Sequence, residues 1–406
     1  MSVAPARQVL DRRPAMALFA AFAAGYFFSS LARAITAILA PTLTAEFQLS
    51  AGDLGLLSGG FFLGFALMQL PLGGWLDRHG PRRVQLCLLS VAALACLAFA
   101  IAQSFTGLLL ARVFMGVGVA ACLMAALTGY RRWLASDLQL RANSWMLMAG
   151  ALGLIASTLP VQWLMPQYGW RVLFYGMALI VLLSMALIRW WVPDWPQSNG
   201  ASQVSGYGQV WANAYFRRTA PVGMFNYGGL VAIQTLWAGP WMVKVCGMNA
   251  AQAATGLFWI NVCMMLAFML WGSANPWLAR KGITANHLAT WGMPPSLLCL
   301  AWICWAGPAA PWWAWIIFLV LSSSVAHLQP AVGMAMPTEW AGRALSAYNL
   351  MIFAGVFTVQ WGVGLLIDAF KAAGWAEVLA YQAGMGVFGL VCLLSYLHFC
   401  CYHSRS

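Results

Sequence analysis

Long, nearly uncharged apolar runs recur along almost the whole chain, and no other feature limits its fold as tightly. Twelve can be drawn, at about 15–40, 53–75, 84–102, 106–130, 142–165, 170–192, 219–243, 253–279, 284–306, 312–336, 344–367 and 374–399. About 20 apolar residues match the hydrocarbon thickness of a bilayer, and a helix satisfies its own backbone there. The 406 residues are 62% hydrophobic and 7% charged, where a soluble domain carries about 25% charged residues. Soluble globular and disordered classes are excluded. The chain reads as an all-α integral membrane protein.

The net charge of +12 does not point to nucleic acid, because the cations sit between the apolar runs as topology determinants do. With the N-terminus placed in the cytoplasm, only Arg171, Lys244 and Lys371 fall in outside loops. Arg33 and Arg112 fall within or at the edge of apolar segments, and every other Lys and Arg lies inside. That bias predicts a plasma-membrane protein of the bacterial inner-membrane type with both termini cytoplasmic. The longest connection, Pro193 to Arg218, holds Pro193, Pro196, Asn199, Gly200, Ser202, Ser205, Gly206 and Gly208. It reads as a linker between an N-terminal six-helix half, 1–192, and a C-terminal half, 219–406. The first run is too long for a signal peptide and is expected to stay as a helix. Cysteines such as Cys96, Cys122 and Cys392 lie in apolar runs and read as small hydrophobes.

Between the second and third runs lies Gly73-Gly74-Trp75-Leu76-Asp77-Arg78-His79-Gly80-Pro81-Arg82-Arg83. Together with the six-plus-six pattern, it resembles the major facilitator superfamily. The signature loop of that family has the form G-x-x-x-D-R-x-G-R-R. Gly73, Asp77, Arg78, Gly80, Arg82 and Arg83 match it, with Pro81 inserted before the arginine pair. The resemblance implies twelve helices in two pseudo-symmetric halves, with this cluster as a gating latch. In that role Gly73 gives close packing of helix 2. Asp77 would sit near the positive end of another helix and near arginine. The competing reading is that the basic residues only set topology. Gly272, Arg280, Lys281 and Gly282 form a weaker second copy without the acid. Leu108 to Ala121 resembles the family's helix-4 pattern, an arginine followed by G-x-G, at Arg112, Gly116 and Gly118. Arg112 reads either as an anchor near the outer interface or as part of a proton-coupling network.

Arg33 is the most informative single residue. It lies mid-run between Gly25 and Pro41, where a guanidinium costs at least about 2.5 kcal/mol on insertion scales. It is expected to face a polar cavity and bind an anion; the alternative is a structural arginine on backbone carbonyls. The segment is similar to helix 1 of the anion/cation symporters and organophosphate antiporters of the superfamily, in which such an arginine binds phosphate or carboxylate. Helix 7 here lacks the second arginine of the organophosphate antiporters and offers Asn226, Tyr227, Gln234, Thr235 and Trp237. One cation suits a monoanionic carboxylate. Asn226, Tyr227, Gln234, Trp237, Asn261 and Asn349 are candidate substrate contacts, though amides and hydroxyls also bridge helices.

No Asp or Glu falls clearly mid-membrane, with Asp53 and Asp368 near helix ends. His327, with a reference pKa near 6.5, is therefore the natural proton carrier, or else a packed core histidine. No enzyme constellation, cofactor site or metal site stands out. The expected function is a secondary transporter importing a small organic anion with protons by alternating access, functional as a monomer in the bilayer. Alternatives are an exporter of amphipathic compounds and, on the M-x-x-x-M spacing of Met265 and Met269, a copper importer.

Overall fold

The computed structural model describes residues 9–195 and 207–402, without the side chains at 136, 137, 140, 338 and 339. Among the described residues there is no strand, and the apolar runs fold as helices. Helix α1 is Arg12–Phe47. A single long helix, Ala51–Ile101, is divided at Gly80 into α2 (51–79) and α3 (81–101). Helix α4 is Phe105–Val119 continued as Cys122–Trp133. Helix α5 starts as Ser136–Ala156 and, after a break, runs to residue 168. Helix α6 is 170–191. In the second half, α7 spans 214–244, α8 Ala250–Arg280, α9 Ala285–Ala306, α10 314–334, α11 Thr338–Ala372 and α12 Glu377–Cys401. Nine helices of the described residues are long and apolar enough to cross a membrane as they stand. One of these makes two crossings, and α5 and α7 are broken into shorter pieces. The whole therefore has twelve crossings, in the alternating up-and-down order the runs predict.

Two ends follow from this order. The lower end carries the Gly80 turn, the segment after α6 and the end of α12. The upper end carries the turns that open α2, α4, α6, α8, α10 and α12. Four turns share one backbone device: Gly80, Gly169, Gly282 and Gly374 have φ of 76°, 74°, 73° and 86°. They join α2 to α3, α5 to α6, α8 to α9 and α11 to α12, once in each successive three-helix unit. That region of φ is open to glycine and costly for other residues. Both α2 and α8 begin at the upper end with a capping box, Ser50 with Asp53 and Asn249 with Gln252, which satisfies their free N–H groups.

Each half is also tied at the upper end between its first and last helices. In the first, Glu46 of α1 pairs with Arg171 of α6 at 2.7 Å and accepts from the Trp170 indole. In the second, Lys244 of α7 pairs with Glu377 of α12 at 3.4 Å. The signs are reversed and the placement is the same.

The described end of the expected linker is helical. A short helix, Tyr207–Ala212, precedes α7, and Asn213 caps α7 through its side chain, accepting from the N–H groups of Tyr215 and Phe216. An asparagine placed to satisfy those free donors starts a helix where composition read as loop. Pro196, Asn199, Gly200, Ser202, Ser205 and Gly206 lie outside the described residues.

Candidate functional site

Arg33 occupies the middle third of α1. Its guanidinium lies 5.6 Å from the ring centroid of Phe65 on α2 and 5.6 Å from that of Phe353 on α11. The two rings touch, with centroids 4.4 Å apart. Phe62 of α2 stacks on Phe353 at 6.2 Å. Helices α2 and α11 belong to opposite halves, so the arginine sits where the halves meet. A cation over two aromatic faces gains about 0.5–2 kcal/mol, well short of what a bound carboxylate supplies. Among the described residues no carboxylate pairs with Arg33, and its buried Nε makes no hydrogen bond. The side chain is half-buried. It is therefore a cation in the membrane interior, shielded by rings, with no counter-ion among the described residues.

The surroundings are phenolic rather than acidic. Tyr26, two turns earlier on α1, and Tyr227 of α7 both lie within electrostatic reach of Arg33. The Tyr26 ring fills the space that a side chain at Gly150 of α5 would take. Tyr227 is placed by a wide i→i+5 turn, Gly223–Tyr227, and a second such turn covers Ile233–Trp237. Such turns insert an extra residue in a helical turn, rotate the following side chains, and recur at functional sites.

The other expected contacts are distributed unevenly. Asn226 is turned away: its Nδ2 donates to Cys392 O and Ser395 Oγ of α12. It bridges two helices of one half, and the structure does not bring it to Arg33. Gln234 donates to the side-chain oxygen of Asn261 at 2.9 Å, and Asn261 donates on to Leu257 O and, at 3.5 Å, to Leu154 O of α5. Trp237 is fully buried and donates to Gln360 O at 3.2 Å. Asn349 accepts from Gln329 at 2.5 Å. Of the polar groups named on α7, only Tyr227 is thus drawn to the arginine.

Arg112, expected either as an anchor near the outer interface or in proton coupling, packs inside the bundle. It is fully buried, donates to Ala32 O at 2.8 Å and lies 5.0 Å from the Phe61 ring centroid. His327 is half-buried, edge-on to Trp271 at 4.7 Å, with Nδ1 at 3.1 Å from Ser324 O. No contact joins it to Arg33.

At the lower end the charged turn is ordered by a partner that sequence reasoning missed. Arg82 pairs with Asp194 at 2.8 Å and donates to Arg189 O, at the negative end of α6, at 2.7 Å. Trp195 covers Gly80 and lies under Arg132 at 4.8 Å. Asp77, Arg78 and Arg83 are exposed and form no ion pair among the described residues. Partial desolvation raises the Asp77 carboxyl above its usual range. Nothing lies within 4 Å of a side chain placed at Gly73, so the close packing expected there is absent in this form. Arg280 is likewise exposed, and its neighbour Lys281 lies 4.2 Å from the Trp277 centroid.

Comparison with known proteins places this arrangement. Residues 22–359 match the profile of the Major Facilitator Superfamily. The chain is 27% identical to a "Probable 4-methylmuconolactone transporter" of Cupriavidus pinatubonensis, covering 91% of this chain and 88% of that protein. It is 32% identical to the "Cis,cis-muconate transport protein" of Acinetobacter baylyi, over 39% of this chain and 38% of the relative's length. A gallate transporter of Pseudomonas putida is 28% identical over 40% of this chain and 36% of its own. Among solved structures, a bacterial homolog of the human lysosomal transporter Spinster superposes with a TM-score of 0.76 at 16% identity, covering 98% of this chain and all of that one (100%).

Proposed function

Because this chain belongs to the Major Facilitator Superfamily, we propose that it imports a small organic carboxylate across a bacterial inner membrane together with protons, by alternating access. The observation that carries this reading is Arg33, a mid-membrane guanidinium held between rings of both halves and without a carboxylate partner among the described residues. Such a charge is tolerated when it serves a pathway or a ligand. The relatives are named for muconate, gallate and 4-methylmuconolactone. Muconate and gallate are planar, conjugated carboxylates. A planar anion suits a cation flanked by aromatic faces, with Tyr26 and Tyr227 as hydroxyl partners for its polar edge.

In this reading the lower end is cytoplasmic, as the arginine excess there favours. The halves 1–192 and 219–406 rock about the arginine. The contacts described between them, such as Gly52 with Asp368 and Gly239 with Ala37, gather in the upper part, so this form is closed to the outside. Gly73, Asp77, Arg78, Gly80, Arg82 and Arg83, with Arg280, form the parts that meet when the lower end closes. Gln234, Trp237, Asn261 and Asn349 shape the cavity walls, and His327 responds to protons. The protein acts as a monomer and needs no cofactor.

Equilibrium binding and proteoliposome uptake of muconate, gallate and niacin test this. A ligand of the native state also raises its unfolding midpoint. Arg33→Ala is expected to abolish binding and uptake with normal protein yield, and Arg33→Lys to keep part of both. Normal uptake by Arg33→Ala removes the carboxylate reading. His327→Ala is expected to flatten the pH dependence of uptake; an unchanged profile removes its proton role.

A further inference from the structure

Helix α2 presents the open N–H groups of its first turn to a residue of the other half. Asp368, one turn from the upper end of α11, accepts from Ala51 N at 3.1 Å and from Gly52 N at 2.7 Å. Among the described residues, Asn261 to Leu154 O at 3.5 Å also crosses between the halves, and Tyr207, in the short helix before α7, reaches Leu70 O of the first half at 3.4 Å. The Asp368 pair is shorter than either, and its acceptor is charged.

The packing around it is as close as backbones allow. A side chain at Gly52 would meet Asp368 Oδ2 at 2.8 Å. Gly55 of α2 rests on the Gln360 carbonyl, and Gly364 of α11 rests on the Ala51 carbonyl. The neighbouring charges are already committed elsewhere. The Asp53 carboxylate turns back to Ser50 N. Lys371 and Lys244 both go to Glu377, at 3.8 and 3.4 Å. Among the described residues Asp368 forms no ion pair, and its charge is answered by two amides and the positive end of a helix.

We propose that Asp368 is the lock of the upper gate: its charge, seated on the N-terminus of α2, sets the balance between this closed form and the form open above. The lock is reversible by construction. When the halves part, the carboxylate passes to water and the α2 cap keeps its Ser50–Asp53 box, so neither half is left with a buried, unanswered charge. The lock requires two halves that separate, and is independent of what Arg33 binds.

The test measures the gap directly. Spin labels are placed at Ala45→Cys and Ala373→Cys, exposed positions on opposite halves at the upper end. The full chain is used, with exposed Cys87, Cys400 and Cys401 changed to Ser, and distances are read by pulsed resonance without any substrate. The parent is expected to show one short-distance population. Asp368→Asn, which removes the charge and keeps the shape, is expected to make a longer-distance population the larger one. Gly52→Ala keeps the charge and wedges the contact, and is expected to do the same. If Asp368→Asn fails to fold, Asp368→Ser takes its place as the variant without the charge. Short distances retained in Gly52→Ala overturn the proposal. So does a shift in Gly52→Ala alone beside a folded, unshifted Asp368→Asn, which would assign the closure to packing rather than charge. None of these outcomes depends on the Arg33 binding tests.

Discussion

Arg112 donates through Nη1 to the carbonyl oxygen of Ala32 at 2.8 Å, so the backbone next to Arg33 is held by a second, fully buried guanidinium. The two arginines act on one point of α1, one through its charge and one through its grip on the peptide that carries the first.

Replacing Arg112 separates those roles. Apolar replacement of a buried ion need not destabilise a fold, so Arg112→Met is expected to keep the unfolding midpoint within a few degrees. Carboxylate affinity is expected to fall about fivefold, equivalent to about 1 kcal/mol, because α1 loses its fixed position at Ala32. Calorimetric titration with niacin beside a thermal melt checks both.

The aromatic pair predicts selectivity rather than affinity alone. Phe65→Leu or Phe353→Leu keeps most of the apolar volume and removes a face worth about 0.5–1 kcal/mol to the cation. Either change is expected to weaken niacin binding more than that of an aliphatic carboxylate of equal charge. Competition binding with the two ligands gives the ratio, and an unchanged ratio assigns the rings to packing.

Gly80 answers to backbone and neighbour together. Its φ of 76° and ψ of 164° fall in a region nearly confined to glycine and cost another residue about 1–3 kcal/mol, and the Trp195 side chain stands where a Cβ would go. Gly80→Ala is expected to lower the unfolding midpoint. Adding Trp195→Gly, which removes the Trp195 Cβ that stands nearest that position, is expected to recover only the steric share, which a double-mutant cycle of midpoints isolates.

Asn226 supplies the contrasting case. Its amide joins α7 to Ser395 and Cys392 of α12, a bridge worth about 0.6–2 kcal/mol in membrane bundles. Asn226→Leu is expected to lower stability by that amount and to leave carboxylate affinity unchanged, measured on the same preparations.

Crossings, their order and the special status of Arg33 were legible in the sequence, because bilayer thickness and the cost of a buried cation are read directly from residue types. The facing of Asn226 was not. A membrane helix is apolar toward both lipid and core, so the pattern that orients a soluble helix is absent, and the wide turns in α7 rotate whatever register remains. The partners of Arg82 and Gly80, Asp194 and Trp195, were hidden by distance along the chain, as was Asp368 against Gly52. Phe65 and Phe353 were obscured differently, as two among 22 phenylalanines.

Those two rings belong to opposite halves and touch each other across the arginine. A molecule that comes to Arg33 meets the seam itself, and its fit there differs as the rings close or part. A ligand shifts a conformational equilibrium by its difference in affinity for the two forms. In the proposed transport cycle, cargo and carrier motion therefore draw on one and the same contact: the site would double as a strain gauge, with the rocking felt first where the passenger sits.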